Sequence, residues 1–480
     1  MNIEIPNFIV ALPEILVLVM GCIALLVGLF AKRHGAAISF WLVLLTLVVA
    51  TVLLIKIPAK PIVVTFMGSF IYDPLAVLLK VAVVLCSFAV FLYSREYVKT
   101  RMPHYQIEYY VLGLFAVLGM MVLISAYDFL TLFLGLELFS LPVYAMVALQ
   151  RENKLCSEAA MKYFVVGSLA SAILLYGLSM IYGVTQTISL PAVAQSIATT
   201  PVAQQPILVF GLVFAIVGIA FKLGAVPFHM WVPDVYQGAP SSATLFIASA
   251  PKIAGLALAL RLLVDAMPGL SIQWQQLLIV IALLSMGYGN IVAIVQSNLK
   301  RMLAYSSIAH IGYMSLGLLT ATPNGYAASH FYMIAYAVMT LVAFGMIVIL
   351  SRAGFEAERI EDFQGLNSRS PLLAFVMLIV MFSMAGIPPL VGFMAKVAVL
   401  EALIEVNMVW LATIALVFAI IGAYYYIKVV KVMYFEPAKT SSPIVCPVDV
   451  KLVMTLNGLL ILALGVVPGV LFHICQAAFL

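Results

Sequence analysis

Long apolar stretches separated by short polar connections recur along the whole chain of 480 residues. A transmembrane helix needs about 20 consecutive, mainly apolar residues, and fourteen stretches approach or exceed that length. They lie near residues 8–30, 37–55, 72–93, 109–126, 128–149, 158–182, 206–229, 241–264, 276–296, 303–320, 326–350, 371–405, 408–434 and 450–473. The pattern predicts an all-α polytopic membrane protein of about fourteen transmembrane helices, with both termini on one side of the membrane because fourteen is even.

The composition agrees with the pattern. Hydrophobic residues make up 65% of the chain and charged residues 9%, whereas a soluble domain has about 25% charged residues. The first apolar stretch begins near Phe8 without a preceding Lys or Arg, so we expect a retained helix and not a cleaved signal. The net charge of +5 fits basic cytoplasmic loops and does not indicate nucleic-acid binding.

Basic residues are distributed unequally between the two sets of connections. Cytoplasmic loops of membrane proteins are enriched in Lys and Arg. One set of alternate loops holds sixteen of the 24 basic residues, and the opposite set holds only Lys56 and Lys60. The sixteen are Lys32, Arg33, Arg95, Lys99, Arg101, Arg151, Lys154, Lys300, Arg301, Arg352, Arg359, Arg369, Lys428, Lys431, Lys439 and Lys451. We therefore expect both termini outside the cytoplasm, on the periplasmic side of a bacterial inner membrane.

Six basic residues remain inside the predicted spans. They are Lys80, Lys162, Lys222, Lys252, Arg261 and Lys396. An ionisable group within a bilayer costs at least a few kcal/mol, so each needs a partner, water or a function. For Lys80 and Arg261, a structural pair and a side chain reaching the interface are equally good interpretations.

The other four lysines outnumber the acidic residues near the centre of the spans. Glu137 lies midway along the fifth span, whereas Glu14 lies in the first span and Glu401 and Glu405 lie near the end of the twelfth. Structural pairing cannot satisfy four lysines on separate helices, and surplus lysines are suited to a proton relay.

Three histidines, His229, His310 and His330, also lie in or beside spans that contain serine and tyrosine. Each is either a packed, hydrogen-bonded side chain or a member of the relay. A haem held by two histidines is a weaker alternative, because no two of them form an evident pair. The five cysteines contain no CxxC pair, so we expect no metal and no cofactor bound by this chain.

Two spans contain proline and glycine where a helix should be continuous. Pro227 follows Lys222, and Pro388 and Pro389 precede Lys396. Interrupted helices in a membrane occur where they are buried in protein or line a cavity, and paired broken helices in inverted repeats are typical of transporters. We expect three N-terminal helices in 1–108 and a C-terminal helix in 435–480. Between them, the first five-helix repeat is expected in 109–266, with its broken helix at 206–229. The second, inverted repeat is expected in 267–434, with its broken helix at 371–405.

Four stretches together resemble the antiporter-like membrane subunits of respiratory complex I, the NADH–quinone oxidoreductase. They are LGLELFSLPVY (134–144), FKLGAVPFHMWVPDVYQGAP (221–240), NLKRMLAYSSIAHIGY (298–313) and AGIPPLVGFMAK (385–396). Within the family the N-type subunits are most similar. The chain ends after the fourteenth span, without the long lateral helix of L-type subunits, and Lys396 stands where M-type subunits are expected to have glutamate.

The resemblance implies roles for eight residues. Glu137 would pair with Lys222, and Lys162 would lie near that pair. Lys252 would be the central lysine and Lys396 the lysine of the exit half-channel. His229, Lys300 and His310 would connect the two halves. The family also implies that NADH, FMN, iron–sulfur clusters and quinone are bound by other subunits, and that the chain contacts lipid and an adjacent antiporter-like subunit.

These observations predict a proton-translocating subunit driven by quinone reduction elsewhere in the complex. Two alternatives remain at this point. One is a subunit of a multi-subunit sodium/proton antiporter, a class that shares these motifs. The other is a purely structural membrane subunit in which the lysines only hold helices together.

Overall fold

A computed structural model of the chain describes residues 6–31, 34–200, 205–351, 355–438, 444 and 447–479. Four of the basic loop residues used to predict orientation, Lys32, Arg33, Arg352 and Lys439, lie outside the described residues. The remaining twelve lie within them. Several of these twelve, including Lys99, Arg101 and Lys154, belong to the ends of long helices and not to loops.

The described chain is helical apart from one short hairpin. Its first half contains α1 (Leu12–Phe30), α2 (Gly35–Lys56), β1 (Val63–Thr65), β2 (Phe70–Tyr72), α3 (Pro74–Arg101), α4 (Gln106–Ile124), α5 (Phe129–Val147), α6 (Lys154–Thr185), α7 (Leu190–Thr199), α8 (Gln205–Leu223), α9 (Trp231–Gly238), α10 (Ser241–Ala248) and α11 (Ala250–Leu260). The antiparallel strands pair Val63 with Tyr72 and Thr65 with Phe70.

The second half continues from a π-helical turn at Arg261–Ala266 and a 3₁₀ turn at Pro268–Leu270. It contains α12 (Ser271–Ile294), α13 (Leu299–Leu318), α14 (Pro323–Leu350), a 3₁₀ turn at Ile360–Phe363, α15 (Leu366–Arg369), α16 (Pro371–Ala385), α17 (Val391–Glu405), α18 (Val409–Phe435), α19 (Val448–Val466) and α20 (Gly469–Ala477). Polar caps begin several of these helices. For example, the Asn298 side chain accepts a hydrogen bond from the backbone N–H of Arg301 at 3.0 Å, which satisfies one of the free donors at a helix start.

Within the described residues, twelve helical segments are long and apolar enough to cross a membrane. One of them joins α10, α11 and the π-helical turn into a single segment, Ser241–Ala266. Two further elements complete the count: α13, with 20 residues, and the interrupted pair α16 and α17. The prediction of an all-α membrane protein with about fourteen spans is therefore confirmed.

Both predicted helix breaks are present. α8 ends at Leu223 and α16 ends at Ala385, and each break contains a glycine with positive φ, Gly224 at +77° and Gly386 at +88°. Only a residue without a Cβ adopts this left-handed conformation readily. Each break also contains a cis X–Pro peptide bond, before Pro227 and before Pro389.

A third interruption was not predicted. α10 ends at Ala248 and α11 begins at Ala250, because Ser249 leaves helical geometry with ψ −92°. Pro251 follows in the first turn of α11, where a missing backbone N–H is tolerated. The interruption lies three residues before Lys252, so Lys222, Lys252 and Lys396 each lie near a break. The hairpin and the short helices α7, α9 and α20 were also not predicted, since each is too short to produce a span-length apolar run.

The contacts divide the chain into two compact units. Unit 1 comprises 1–91, 103–222 and 250–276, and unit 2 comprises 92–102, 223–249 and 277–480. In unit 1, α4 packs closely on α5: a Cβ at Gly135 would lie 2.6 Å from the backbone N of Leu123. In unit 2, α14 packs against α13, α16 and α17 and is almost entirely buried. The division into inverted five-helix repeats stays a prediction.

Candidate functional site

Lys222 occupies the last turn of α8 in unit 1 and is buried. Its Nζ donates a hydrogen bond to Ser140 Oγ at 2.6 Å and lies 4.0 Å from the centre of the Phe139 ring. Both partners belong to α5, two and three residues after Glu137. The ammonium is therefore held by a hydroxyl and an aromatic face, which stabilise a cation without neutralising its charge.

Glu137 is half-buried on α5, and its Oε1 atom has no hydrogen-bond partner among the described residues. No ion pair within 4.0 Å joins it to Lys222 in the part of the chain that the structure describes. Its charge nevertheless acts on Lys222 through space. The expected Glu137–Lys222 pair stays a prediction: the two charges act on each other through space, and Ser140 is the direct partner of the lysine.

Lys252 lies in α11 of unit 1, with 2% of its surface exposed. Its neighbours on the helix are Ala250, Pro251, Ile253 and Ala254, all apolar. The positive charge of Lys222 acts on Lys252. Two like charges that affect each other while buried favour a state in which only one of them carries a proton, which is a useful property in a relay.

Lys162 differs from the other predicted relay lysines. Its side chain is 46% exposed on α6 and forms a 2.9 Å ion pair with Glu158, one helical turn earlier. Lys162 thus lies on an outer face of unit 1 with a carboxylate as its direct partner, and its role beside Lys222 stays a prediction.

Lys396 lies in α17 of unit 2, just after the second break. Its Nζ donates to the carbonyl oxygens of Ala385 at 2.8 Å and Met384 at 3.2 Å, and lies 5.3 Å from the centre of the Tyr313 ring. The two carbonyls belong to the last turn of α16, where acceptors lack helical partners and the helix dipole is negative. Gly386 makes the approach possible, because a Cβ there would lie 2.9 Å from Nζ.

His310 lies at the centre of a hydrogen-bonded group in unit 2. Its Nδ1 is 2.7 Å from the Tyr332 hydroxyl and its Nε2 is 3.0 Å from the Tyr426 hydroxyl. The Tyr426 hydroxyl is in turn 2.5 Å from Ser306 Oγ. Both ring nitrogens are therefore engaged, and a neutral imidazole in this position accepts a proton on one side and donates on the other. We call Ser306, Tyr426, His310 and Tyr332 the histidine–tyrosine chain.

His229 and Lys300 lie nearer the ends of the helices of unit 2. His229 is buried in the first break, and its ring packs edge-on against Tyr288 with centroids 4.6 Å apart. Lys300, in the first turn of α13, is 1% exposed. Its Nζ contacts the carbonyl oxygen of Ala239 at 2.9 Å, Glu358 Oε1 at 3.1 Å and Ser241 Oγ at 3.5 Å.

Lys80 and Arg261, for which two interpretations were open, are both buried and ion-paired in unit 1. Lys80 pairs with Glu14 and also lies over the Phe70 ring. Arg261 pairs with Asp73 at 2.9 Å and Asp265 at 2.8 Å, and donates to the carbonyl oxygen of Ile124 at 3.1 Å. These contacts support the structural interpretation, because each cation has a carboxylate in direct contact.

The predicted residues thus fall into two groups. Unit 1 contains Glu137, Lys162, Lys222 and Lys252, and unit 2 contains His229, Lys300, His310 and Lys396. Sequence reasoning missed Ser140, Tyr332, Tyr426 and Glu358. A serine or tyrosine in an apolar span carries no distinctive signal, although Tyr425 and Tyr426 belong to a run of three tyrosines. Among the described residues, no group of three or more His, Cys, Asp or Glu side chains is placed to hold a metal ion.

Comparison with known proteins gives a consistent result. Residues 126–422 match the family described as NADH:quinone oxidoreductase/Mrp antiporter, TM. The NADH-quinone oxidoreductase subunit N of Coxiella burnetii is 56% identical over 482 residues, which cover 99% of each chain. The match therefore extends over both units.

Solved structures agree at the level of the fold. A chain of respiratory complex I from Thermus thermophilus with bound aureothin superposes with a TM-score of 0.82 and 31% identity, covering 96% of this chain and 98% of that one. A chain of the Mrp complex from Dietzia sp. DQ12-45-1b reaches a TM-score of 0.84 at 20% identity, covering 97% of each chain. This second similarity concerns the fold alone.

Proposed function

The chain belongs to the NADH:quinone oxidoreductase/Mrp antiporter transmembrane family, and we propose that it moves protons through its buried lysines. It is a membrane subunit of the NADH–quinone oxidoreductase, a translocase of the respiratory chain. Quinone reduction elsewhere in the complex supplies the free energy. NADH, FMN, iron–sulfur clusters and quinone are bound by other subunits in this proposal.

The chain is a multi-pass membrane protein of a bacterial complex I and has other subunits of that complex as partners. We place it in the inner membrane with both termini in the periplasm. Support comes from the basic residues of alternate connections, which belong on the cytoplasmic side. One of its neighbours in this proposal is a second antiporter-like subunit, and the apolar outer faces of its helices contact lipid.

One observation carries the proposal of proton transfer. Lys222 and Lys396 are buried ammonium groups whose direct partners are neutral: a hydroxyl for the first and two carbonyls for the second. A buried cation that directly contacts a buried carboxylate is held in its charged form, whereas a cation held by neutral dipoles can lose its proton. These lysines are therefore suited to hold a proton transiently.

In unit 1, Glu137 controls the charge of Lys222. While the carboxylate is close and ionised, it stabilises the ammonium. When the carboxylate moves away or is neutralised, Lys222 passes its proton toward Lys252. Release near neutral pH requires the ammonium to lose roughly 4 kcal/mol of stabilisation relative to a lysine in water.

In unit 2, the histidine–tyrosine chain and Lys396 transfer protons through an imidazole, hydroxyl groups and an amine. His310 accepts a proton at one ring nitrogen and releases the proton of the other, while the two tyrosine hydroxyls reorient. The charge of Lys396 acts on His310, so a proton on one of them opposes a proton on the other. We propose that Lys396 releases its proton to the periplasmic side.

The decisive experiment is Lys222→Ala or Glu137→Ala in the complete complex, reconstituted in lipid vesicles. We expect the complex to assemble in normal amounts and proton pumping per NADH oxidised to be abolished. The control is Ser179→Ala, a change of an exposed hydroxyl on α6 that bonds only its own helix backbone. Undiminished pumping in an assembled Lys222→Ala complex would exclude the proposal.

The alternative of a sodium/proton antiporter subunit would share the family and the fold of the Mrp chain, but the 56% identity to a subunit N of complex I argues against it. Co-purification distinguishes them, since the proposal requires the peripheral NADH-oxidising subunits to copurify with this chain. In the purely structural alternative, neutral substitutions of Lys222 and Lys396 reduce assembly and leave pumping per assembled complex unchanged.

A further inference from the structure

A surface cavity in unit 2 adjoins the buried ammonium of Lys300. The cavity has a volume of about 790 Å³, and its lining includes Glu356, Glu358, Glu361 and Asp362. It lies at the loop that precedes α15, where the 3₁₀ turn begins. In the proposed orientation this loop is on the cytoplasmic side.

Glu358 joins this cavity to Lys300. Its Oε1 accepts from Lys300 Nζ at 3.1 Å, and its Oε2 accepts from Asn298 Nδ2 at 3.2 Å. The Glu358 side chain is 30% exposed, whereas that of Lys300 is 1% exposed. Glu358 therefore lies between the cavity and an ammonium that has almost no solvent contact of its own.

The loop is held in place independently of this ion pair. The backbone N–H of Leu299 donates to the carbonyl of Glu358 at 2.6 Å, and that of Ile360 donates to the carbonyl of Ser297 at 3.0 Å. Glu356 is fixed by Arg101 at 2.7 Å and by the Tyr97 hydroxyl at 2.7 Å. These contacts anchor the loop on both sides of residue 358, so the position of the loop does not depend on the Glu358 side chain alone.

Lys300 also has a route inward along α13. A residue seven positions later on a helix returns to nearly the same face, and on α13 this residue is Ser307. His310 lies three positions, nearly one turn, further along the helix. Both are buried. The axial rise from Lys300 to Ser307 is about 10 Å at 1.5 Å per residue, so transfer over that stretch requires water or movement of side chains.

We propose that Glu358 is a proton-transfer residue that loads Lys300 from the cavity, so that unit 2 has a proton entrance of its own. A hydronium ion protonates the Glu358 carboxylate. When Lys300 has passed its proton inward and is a neutral amine, the Glu358 carboxyl group gives its proton to the Lys300 nitrogen and returns to carboxylate. The 3.1 Å separation is within the range for direct transfer. This inference rests on the proposed function.

The test is Glu358→Gln in the complete complex reconstituted in lipid vesicles. The amide keeps the size and the hydrogen-bond acceptor but cannot carry a proton. We expect normal assembly, proton pumping lowered by about tenfold or more, and a larger solvent isotope effect of D₂O on NADH–quinone turnover. A residue that only holds the loop would not change the isotope effect.

The matched control is Glu361→Gln, which removes a carboxylate from the same cavity and loop and should leave pumping and the isotope effect at wild-type values. Pumping by Glu358→Gln equal to that of Glu361→Gln would overturn the inference. If Glu358→Gln does not assemble, Glu358→Asp serves instead, with an intermediate loss of pumping expected and wild-type pumping as the contradicting result. Lys396→Ala in the same assay distinguishes failure of this inference from failure of the proposed function, because wild-type pumping in that variant contradicts the proposed function itself.

Discussion

Unit 1 contains two kinds of buried cation, and the difference between them lies in the direct partner. Lys80 contacts Glu14, and Arg261 contacts Asp73 and Asp265. Lys222 is equally enclosed but contacts the Ser140 hydroxyl and an aromatic ring. A buried carboxylate in contact, such as Glu14 or Asp73, holds a cation in its charged form, whereas a hydroxyl leaves the proton exchangeable. Lys300 in unit 2 is a different case, because its carboxylate partner Glu358 is 30% exposed at a surface cavity.

The comparison shows that burial alone does not identify a relay residue. All three cations lie in apolar helices and cost free energy to bury. The ion pairs connect α1 with α3, and the residue before α3 with the π-helical turn Arg261–Ala266, and so hold elements of unit 1 together. Lys222 lies beside a helix break instead and contacts a neutral hydroxyl in place of a counter-ion. Lys396 in unit 2 follows the same rule with the carbonyls of Met384 and Ala385.

The largest expected effect concerns the ion pair of Lys80 with Glu14. Lys80→Met leaves Glu14 buried without its cation, which costs about 3–5 kcal/mol. We expect a severe loss of assembled complex, measured on native gels and by the unfolding temperature of the purified complex. The double variant Lys80→Met, Glu14→Leu removes both charges and should recover assembly, since apolar replacement of a buried pair is often neutral. A double variant as unstable as the single one would show that the charges are needed for more than bracing.

A smaller effect is expected from the histidine–tyrosine chain. Tyr332→Phe and Tyr426→Phe each remove one hydroxyl bonded to His310, and one hydrogen bond is worth about 0.5–1.5 kcal/mol, equivalent to a two- to tenfold change. Pumping per NADH oxidised should fall by about that factor while assembly is retained. Tyr93→Phe is the control, because it removes a buried hydroxyl of unit 2 that bonds the Val453 carbonyl and Asn457 and not the histidine–tyrosine chain. Equal pumping in all three variants would remove the tyrosines from the path.

The smallest effect is expected at Lys162. Its exposed pair with Glu158 contributes about 0–1 kcal/mol, so Lys162→Gln should leave the stability of the purified complex and its pumping close to wild type. Vesicle pumping assays and thermal unfolding check this. A loss of pumping as deep as that of Lys222→Ala would restore Lys162 to the relay, where the family resemblance places it.

Much of the architecture could be predicted from sequence, because a membrane imposes a strong constraint on apolar length and on proline. The fourteen spans and the breaks before Pro227 and at Pro388 follow from that constraint. The interruption before Lys252 was not predicted, since Ser249 and Pro251 lie inside an otherwise apolar run and Pro251 alone is compatible with a first helical turn. Short elements without a span-length signal, such as the hairpin, also escaped detection.

The candidate site was predicted less completely. The lysines stand out because charge is rare in the spans, and counting basic residues was enough to find them. Their partners do not stand out: Ser140, Tyr332 and Tyr426 become recognisable only when the fold brings them to an ammonium or an imidazole. Sequence also could not distinguish Lys80 from Lys222, because that distinction depends on whether a carboxylate from another helix reaches the lysine.

The central claim is that buried cations with neutral partners carry protons, whereas buried cations paired with a buried carboxylate, Lys80 with Glu14 and Arg261 with Asp73, brace the fold. The most direct test compares protons pumped per NADH oxidised in two assembled variants, Lys396→Met and the double variant Lys80→Met, Glu14→Leu. The account predicts that the first loses pumping and the second pumps as wild type. Wild-type pumping by Lys396→Met, or loss of pumping in a fully assembled double variant, would contradict it.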